Sequence, residues 1–173
     1  MEKNLKEDFY KWKEYILNYK LPRWDDLPDI GYYMDQVIEF TEKHLSNFST
    51  EESGKLISPS IINNYVKHKI IPAPVKKRYF KEQIALLIIV CILKPVIPIS
   101  SIQSIINYEL ETNSLENLYN SFCTQQEKAY VDAINNSCFS KENANETMCS
   151  ISLKMSILSS SYKVLAHKTS HTN

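Results

Sequence analysis

Glycine is nearly absent from this chain, with two in 173 residues, Gly31 and Gly54, and none beyond position 54. Loops that cradle phosphate with bare backbone need glycine at fixed spacing, so they are excluded past Gly54, and nucleotide-binding enzymes of the usual kinds are disfavoured. Paired cysteines are absent too. Cys91, Cys123, Cys138 and Cys149 fall singly, with no C-x-x-C pair and no histidine at ligand spacing, which predicts reduced thiols and no structural zinc. Cys91, inside an apolar run, reads as core. No hydrophobic run is long: Ile84 to Leu93 has about half the length of a membrane span, so no membrane contact is expected. The opening residues MEKNLKEDFY mix charges around no apolar stretch, so a secretory signal is not expected. A cytoplasmic location is, and the sequons at Asn135 and Asn145 then carry no meaning.

Catalytic constellations are lacking as well. His44, His68, His167 and His171 have no nucleophile at signature spacing, and the acids are scattered over polar faces. His44 and His68 read as surface residues. Asp25, Asp26 and Asp29 lack the spacing of a calcium loop and read as caps and solubilising charges. No enzyme, metal or cofactor is expected.

The most telling absence is of acid in one stretch. From Gly54 to Tyr108, Glu82 faces Lys55, Lys67, Lys69, Lys76, Lys77, Arg78, Lys81 and Lys94, a local surplus of +7. Residues 1–53 carry −5 and residues 109–173 carry −2, so the net charge of zero conceals a polarised molecule. A local cationic surplus of this kind is the electrostatic profile of a nucleic-acid reader.

What is present is mostly helical periodicity. Leu5, Phe9, Trp12, Ile16 and Tyr19 step along one face of a first helix that Pro22 ends, and Leu21 to Ile30 reads as an ordered turn with Trp24 and Leu27 inward. A second helix, roughly Tyr32 to Phe48, carries Met34, Val37, Ile38, Thr41, Leu45 and Phe48 as a stripe, with Asp29 as candidate N-cap. After a polar loop over Ser46 to Lys55, Ser58-Pro59 supplies a cap and a first-turn proline for a short helix over 59–68. On that helix Ile61, Ile62, Tyr65 and Val66 share one side, while Ser60, Asn63, Asn64 and Lys67 share the other. Pro72 and Pro74 forbid continued helix, and Lys76 to Tyr79 can return as the arm of a small wing. A helix from Lys81 to Lys94 is apolar all round and therefore central. Ser100 or Ser101 is expected to cap the next, whose buried edge is Ile102, Ile105, Ile106 and Leu110. A longer helix over Leu115 to Asn135 carries Leu115, Leu118, Phe122, Ala129, Tyr130 and Ala133, and Ser137 to Asn145 reads as a polar break. In the last helix Met148, Ile151, Met155, Leu158, Tyr162 and Leu165 form a heptad seam, which serves either a second chain or intrachain packing.

Asparagine pairs bidentately with an adenine edge, and lysine or arginine reaches guanine or phosphate. Ser60, Asn63, Asn64 and Lys67 are thus candidates to read bases, with Lys69, Lys76, Lys77, Arg78, Tyr79 and Lys81 along the flanking backbone. The aromatics Phe9, Trp12, Tyr15, Trp24, Tyr32 and Tyr33 could line an effector pocket, although core packing is the commoner fate of such residues.

The run S-P-S-I-I-N-N-Y-V-K-H-K-I-I-P-A-P-V-K-K-R-Y from Ser58 to Tyr79 resembles the signature of a Firmicute family catalogued as domain of unknown function number 1836. Agreement extends to L-P-R-W-D-D-L-P-D-I at Leu21 to Ile30, to Tyr33-Met34-Asp35-Gln36-Val37, and to Ala85-Leu86-Leu87-Ile88 through Leu93-Lys94, covering about Leu21 to Ile106. More distantly, the order helix, wing, long apolar helix, short capped helix is similar to MerR-type winged helix-turn-helix regulators. That resemblance implies groove-facing roles for Asn63, Asn64 and Lys67, wing roles for Arg78 and Tyr79, and a dimer. The chain departs from that group in lacking the usual wing glycine, in having Phe80 where a serine or threonine cap is usual, and in placing its last helix after an extra one.

The expectation is an all-α, mainly helical protein with a small β wing: a helical pair over 1–53, a MerR-like winged helix-turn-helix over 54–110, and C-terminal dimerisation helices over 111–173. Its expected partners are double-stranded DNA and a second copy of itself, with function as a sequence-specific transcription regulator. The rival is a helical adaptor that docks an acidic protein on the same basic face.

Overall fold

The computed structural model describes residues 2–48, 56–136 and 148–170. Gly54, Lys55, Cys138, Asn145, His171 and the polar break over Ser137 to Asn145 lie outside them. Among the described residues seven α-helices run in order: α1 Glu2–Asn18, α2 Met34–Leu45, α3 Pro59–Lys67, α4 Lys81–Leu93, α5 Ile99–Leu110, α6 Leu115–Asn136 and α7 Met148–Thr169. Single 3-10 turns cover Trp24–Asp26 and Ser46–Phe48. Strand content among the described residues is two isolated antiparallel bridges, Tyr32 with Tyr79 and Val75 with Arg78. The protein is mainly helical.

The chain divides into two units, Leu21–Cys123 and a second made of Met1–Lys20 with Thr124–Asn173. These cuts differ from the breaks at 53/54 and 110/111 expected from composition. The reason is packing: α2 lies against both α3 and α4, and α4 against α5, so the second helix shares a core with the basic segment.

Within Leu21–Cys123 the core is α4, whose residues from Gln83 to Ile92 are all buried. Ten consecutive buried positions leave no solvent face, which is the outcome its unbroken apolar run requires. Around it lie Val37 and Leu45 of α2, Ile62 and Tyr65 of α3, and Ile102 and Ile106 of α5. Leu27 is buried as expected and Trp24 half-buried. Tyr119 of α6 seals this turn: its hydroxyl donates to the Pro22 carbonyl at 2.8 Å, its ring meets Trp24 edge-on, and the Trp24 amide donates to Asn120 Oδ1 at 2.9 Å. Within this unit the buried residues of α6 are Tyr119 and Cys123; in the other unit Ile134 is buried, while Ala129 and Ala133 are exposed.

Two expected caps are corrected. Asp29 does not cap α2; its carboxylate pairs with Lys81, and the Tyr33 amide is satisfied by Gln36 Oε1 at 3.0 Å. Neither Ser100 nor Ser101 caps α5, which begins at Ile99 after Pro98, and the Ser101 hydroxyl is buried. Phe80 precedes α4 without a capping side chain of its own, because Gln83 Oε1 accepts its amide at 2.8 Å.

In the other unit, Phe9 and Trp12 of α1 pair at 5.7 Å, Tyr15 and Tyr19 at 6.0 Å, and Lys20 meets Glu127 at 3.0 Å. Within Leu21–Cys123, Tyr32 packs on Phe40 and Tyr33 under Arg78.

Candidate nucleic-acid interface

Helix α3 begins as its sequence demands: Ser58 is the N-cap, its hydroxyl accepting from the Ile61 amide at 3.3 Å, and Pro59 takes the first turn. Ile62 and Tyr65 point into the core, and burial pushes the Tyr65 phenol up to about 12. The opposite face is open. Asn63, Asn64 and Lys67 are exposed, as is Ser60, whose hydroxyl lies 3.0 Å from that of Ser58.

The helix ends in a Schellman motif. The Ile70 amide donates to the Tyr65 carbonyl and the Lys69 amide to that of Val66, both at 3.0 Å, and Ile70 and Tyr65 are buried together. The residue that turns the chain is Lys69, at φ 56°, where glycine is the usual occupant. Gln103 of α5 donates to the Lys69 carbonyl at 3.3 Å and ties this end to the next helix.

Past Pro72 and Pro74 the chain reverses in a two-residue turn. Val75 and Arg78 exchange backbone hydrogen bonds at 3.0 and 2.9 Å across Lys76 at φ 50° and Lys77 at φ 64°. Two successive positive φ values are what a type I′ turn requires, and asparagine-glycine is the usual solution. Here both positions are lysine and both are exposed.

The remaining candidates are otherwise engaged. Arg78 donates to the Gly31 carbonyl at 3.2 Å and to the Tyr33 hydroxyl at 3.1 Å, with its guanidinium 4.6 Å above the Tyr33 ring. Tyr79, expected beside the DNA backbone, is 4% exposed, and burial raises its phenol. It sits inside because its backbone pairs in both directions with Tyr32 at 2.8 Å. Lys81 is bound to Asp29, whose hydrogen bond raises the ammonium pKa, with Asp25 and Glu116 adding to the effect. It belongs to an acidic neighbourhood. Sequence reasoning missed Gly31 and Tyr33, because their role arises only when residue 31 meets residue 78.

Among the described residues no group of three or more His, Cys, Asp or Glu is placed to hold a metal ion, and no helix is long and apolar enough to cross a membrane. No curated protein and no solved structure matched the chain. Residues 22–122, nearly the whole of the Leu21–Cys123 unit, match the family described as Domain of unknown function (DUF1836), and the chain belongs to that family.

Proposed function

We propose that this protein binds double-stranded DNA as a transcription regulator, with α3 in the major groove and the 75–78 turn as the basic wing of a MerR-like winged helix-turn-helix. One observation carries the reading: among the described residues, every non-glycine residue with positive φ is a lysine, namely Lys69, Lys76 and Lys77. Left-handed backbone costs a residue with a Cβ about 1–2 kcal/mol, which glycine would avoid. Strain retained at solvent-exposed positions is characteristic of functional surfaces, and here what it retains is positive charge. The same stretch presents Asn63 and Asn64 for base edges and Lys67 for phosphate or guanine.

Assembly with a second copy is part of the proposal. On α7 the seam residues Leu158, Tyr162 and Leu165 are 40%, 68% and 59% exposed, while Ile151 at 8% is covered within the chain. A two-fold dimer would match half-sites one helical turn apart, or a multiple of that.

Selection of bound fragments from random DNA, followed by titration across salt, tests the function. The expected product is a palindromic site. Lys76→Ala and Lys77→Ala should weaken binding to all sequences and lower the salt slope by about 0.9 each. Asn64→Ala should relax base preference at one position by a factor of roughly ten, as loss of a bidentate pair does. Equal losses on selected and random DNA would reject the reading role of Asn64. Weak, non-saturable association at moderate salt, with co-purification of an acidic protein, would favour the adaptor instead.

A further inference from the structure

We propose that Arg78 is a positioning residue, seated on Gly31 and Tyr33 to clamp the 75–78 turn to the segment leading into α2 and so hold Lys76 and Lys77 outward. The inference rests on the DNA-binding reading above for its consequence, but not for its geometry.

A hairpin closed by one bridge and carrying two left-handed lysines is marginal alone, since even a full two-stranded hairpin barely holds in water. Something else must keep it in place. Immediately beyond the turn, residues 78–80 run against residues 31–33. Tyr32 and Tyr79 exchange two backbone hydrogen bonds of 2.8 Å, and Arg78 spans the neighbouring position with one donor on the Gly31 carbonyl, one on the Tyr33 hydroxyl, and its plane over the Tyr33 ring. A planar fork that donates to two acceptors while its charge lies over an aromatic ring is something arginine supplies and lysine cannot.

Gly31 makes the approach possible. A Cβ at that position would lie 2.8 Å from the Arg78 Cβ and 2.9 Å from the Phe80 ring, inside any tolerable contact. Gly31 is one of two glycines in the chain, and it stands where closeness demands it, whereas the turn that asks for glycine on conformational grounds has lysine. The near side of the hairpin is built for contact with the protein and its tip for charge.

The consequence is that an uncharged change at residue 31 should act like removal of cations. Gly31→Ala and Arg78→Lys should each weaken DNA binding on every sequence and reduce the salt slope by about two ammonium contacts, roughly 1.8, although neither removes a charge. Tyr33→Phe, which deletes one oxygen, should do the same to a smaller degree and is the variant least prone to misfold. Independently of DNA, limited trypsin digestion should cleave the turn after Lys76 and Lys77 several-fold faster in all three variants than in the wild type. Arg78→Lys with wild-type DNA affinity and salt slope, or Arg78→Lys and Tyr33→Phe with unchanged digestion, would overturn the clamp. A loss of about 0.9 in slope for Arg78→Ala with digestion unchanged would assign Arg78 to a phosphate instead. Failure of the wild type to bind DNA would reject the functional reading alone, since the digestion result still decides the clamp.

Discussion

At the scale of single residues, conformational cost is the clearest signal. Lys69 occupies the left-handed position of a Schellman motif whose other requirements, two backbone bonds and a buried pair, are all met. Lys69→Gly should therefore raise stability by about 1 kcal/mol, read as an upward shift of a few degrees in the thermal midpoint, while lowering DNA affinity. Lys69→Ala should lower affinity without the gain in stability. A Lys69→Gly midpoint below that of the wild type would show that the turn is not strained. His44 offers a second residue-level test. Its ring lies 4.6 Å from Phe40, and burial, helped by Lys43 and opposed by Asp26, lowers its pKa from 6.5. It is half-buried rather than on the surface as expected. The unfolded chain then takes up the proton first, so stability is complete above pH 6.5 and declines as pH falls below it. The thermal midpoint should drop between pH 7 and pH 5, and His44→Gln should flatten that decline. An identical slope in the variant would assign it to other groups.

At the scale of elements, helix identity was legible because periodicity is local. The placement of α4 at the centre followed from its apolar run, and Ile88 is fully buried there. Ile88→Ala should cost about 2–5 kcal/mol in urea unfolding, the range for large-to-small changes in a close-packed core. A cost below 1 kcal/mol would mean the core collapses around the gap. The expected cap of α2 failed for a physical reason: aspartate is a usual N-cap acceptor, but α2 is capped from inside by Gln36 reaching back to the amide of Tyr33, and at α4 Gln83 does the same for Phe80. The glutamine half of a capping box, three residues past the cap, was the available signal. Tyr119 was missed because its partner is a carbonyl 97 residues earlier.

At the scale of the molecule, the unit that folds around α4 and the segment matched by the family coincide almost residue for residue. The helices outside it are a separate matter, and α7 is the most exposed of them. Leu153, Ile157, Tyr162, Val164 and Leu165 are each more than half exposed, apolar surface of a kind that a partner usually covers. If the partner is a second copy, light scattering should find a dimer at micromolar concentrations. Substitution of Leu158, Tyr162 and Leu165 by serine should yield a monomer with unchanged helicity. A wild-type monomer at that concentration would reject self-association through α7. For DNA, the monomeric variant should keep contact with a half-site and lose affinity for the palindrome.

Composition and periodicity alone determined that the chain is helical, that one stretch is cationic, that α4 is enclosed, and that Asn63, Asn64 and Lys67 face away from Ile62 and Tyr65. These are properties of neighbouring residues, and a helix converts spacing directly into direction. Only the tertiary structure decided which cations remain free. Arg78 is held by residues 45 and 47 positions earlier, Lys81 by Asp29, and Tyr79 is drawn inward by pairing with Tyr32. Each of these depends on chain closure, where one group meets its partner across dozens of residues, and no local pattern encodes that meeting.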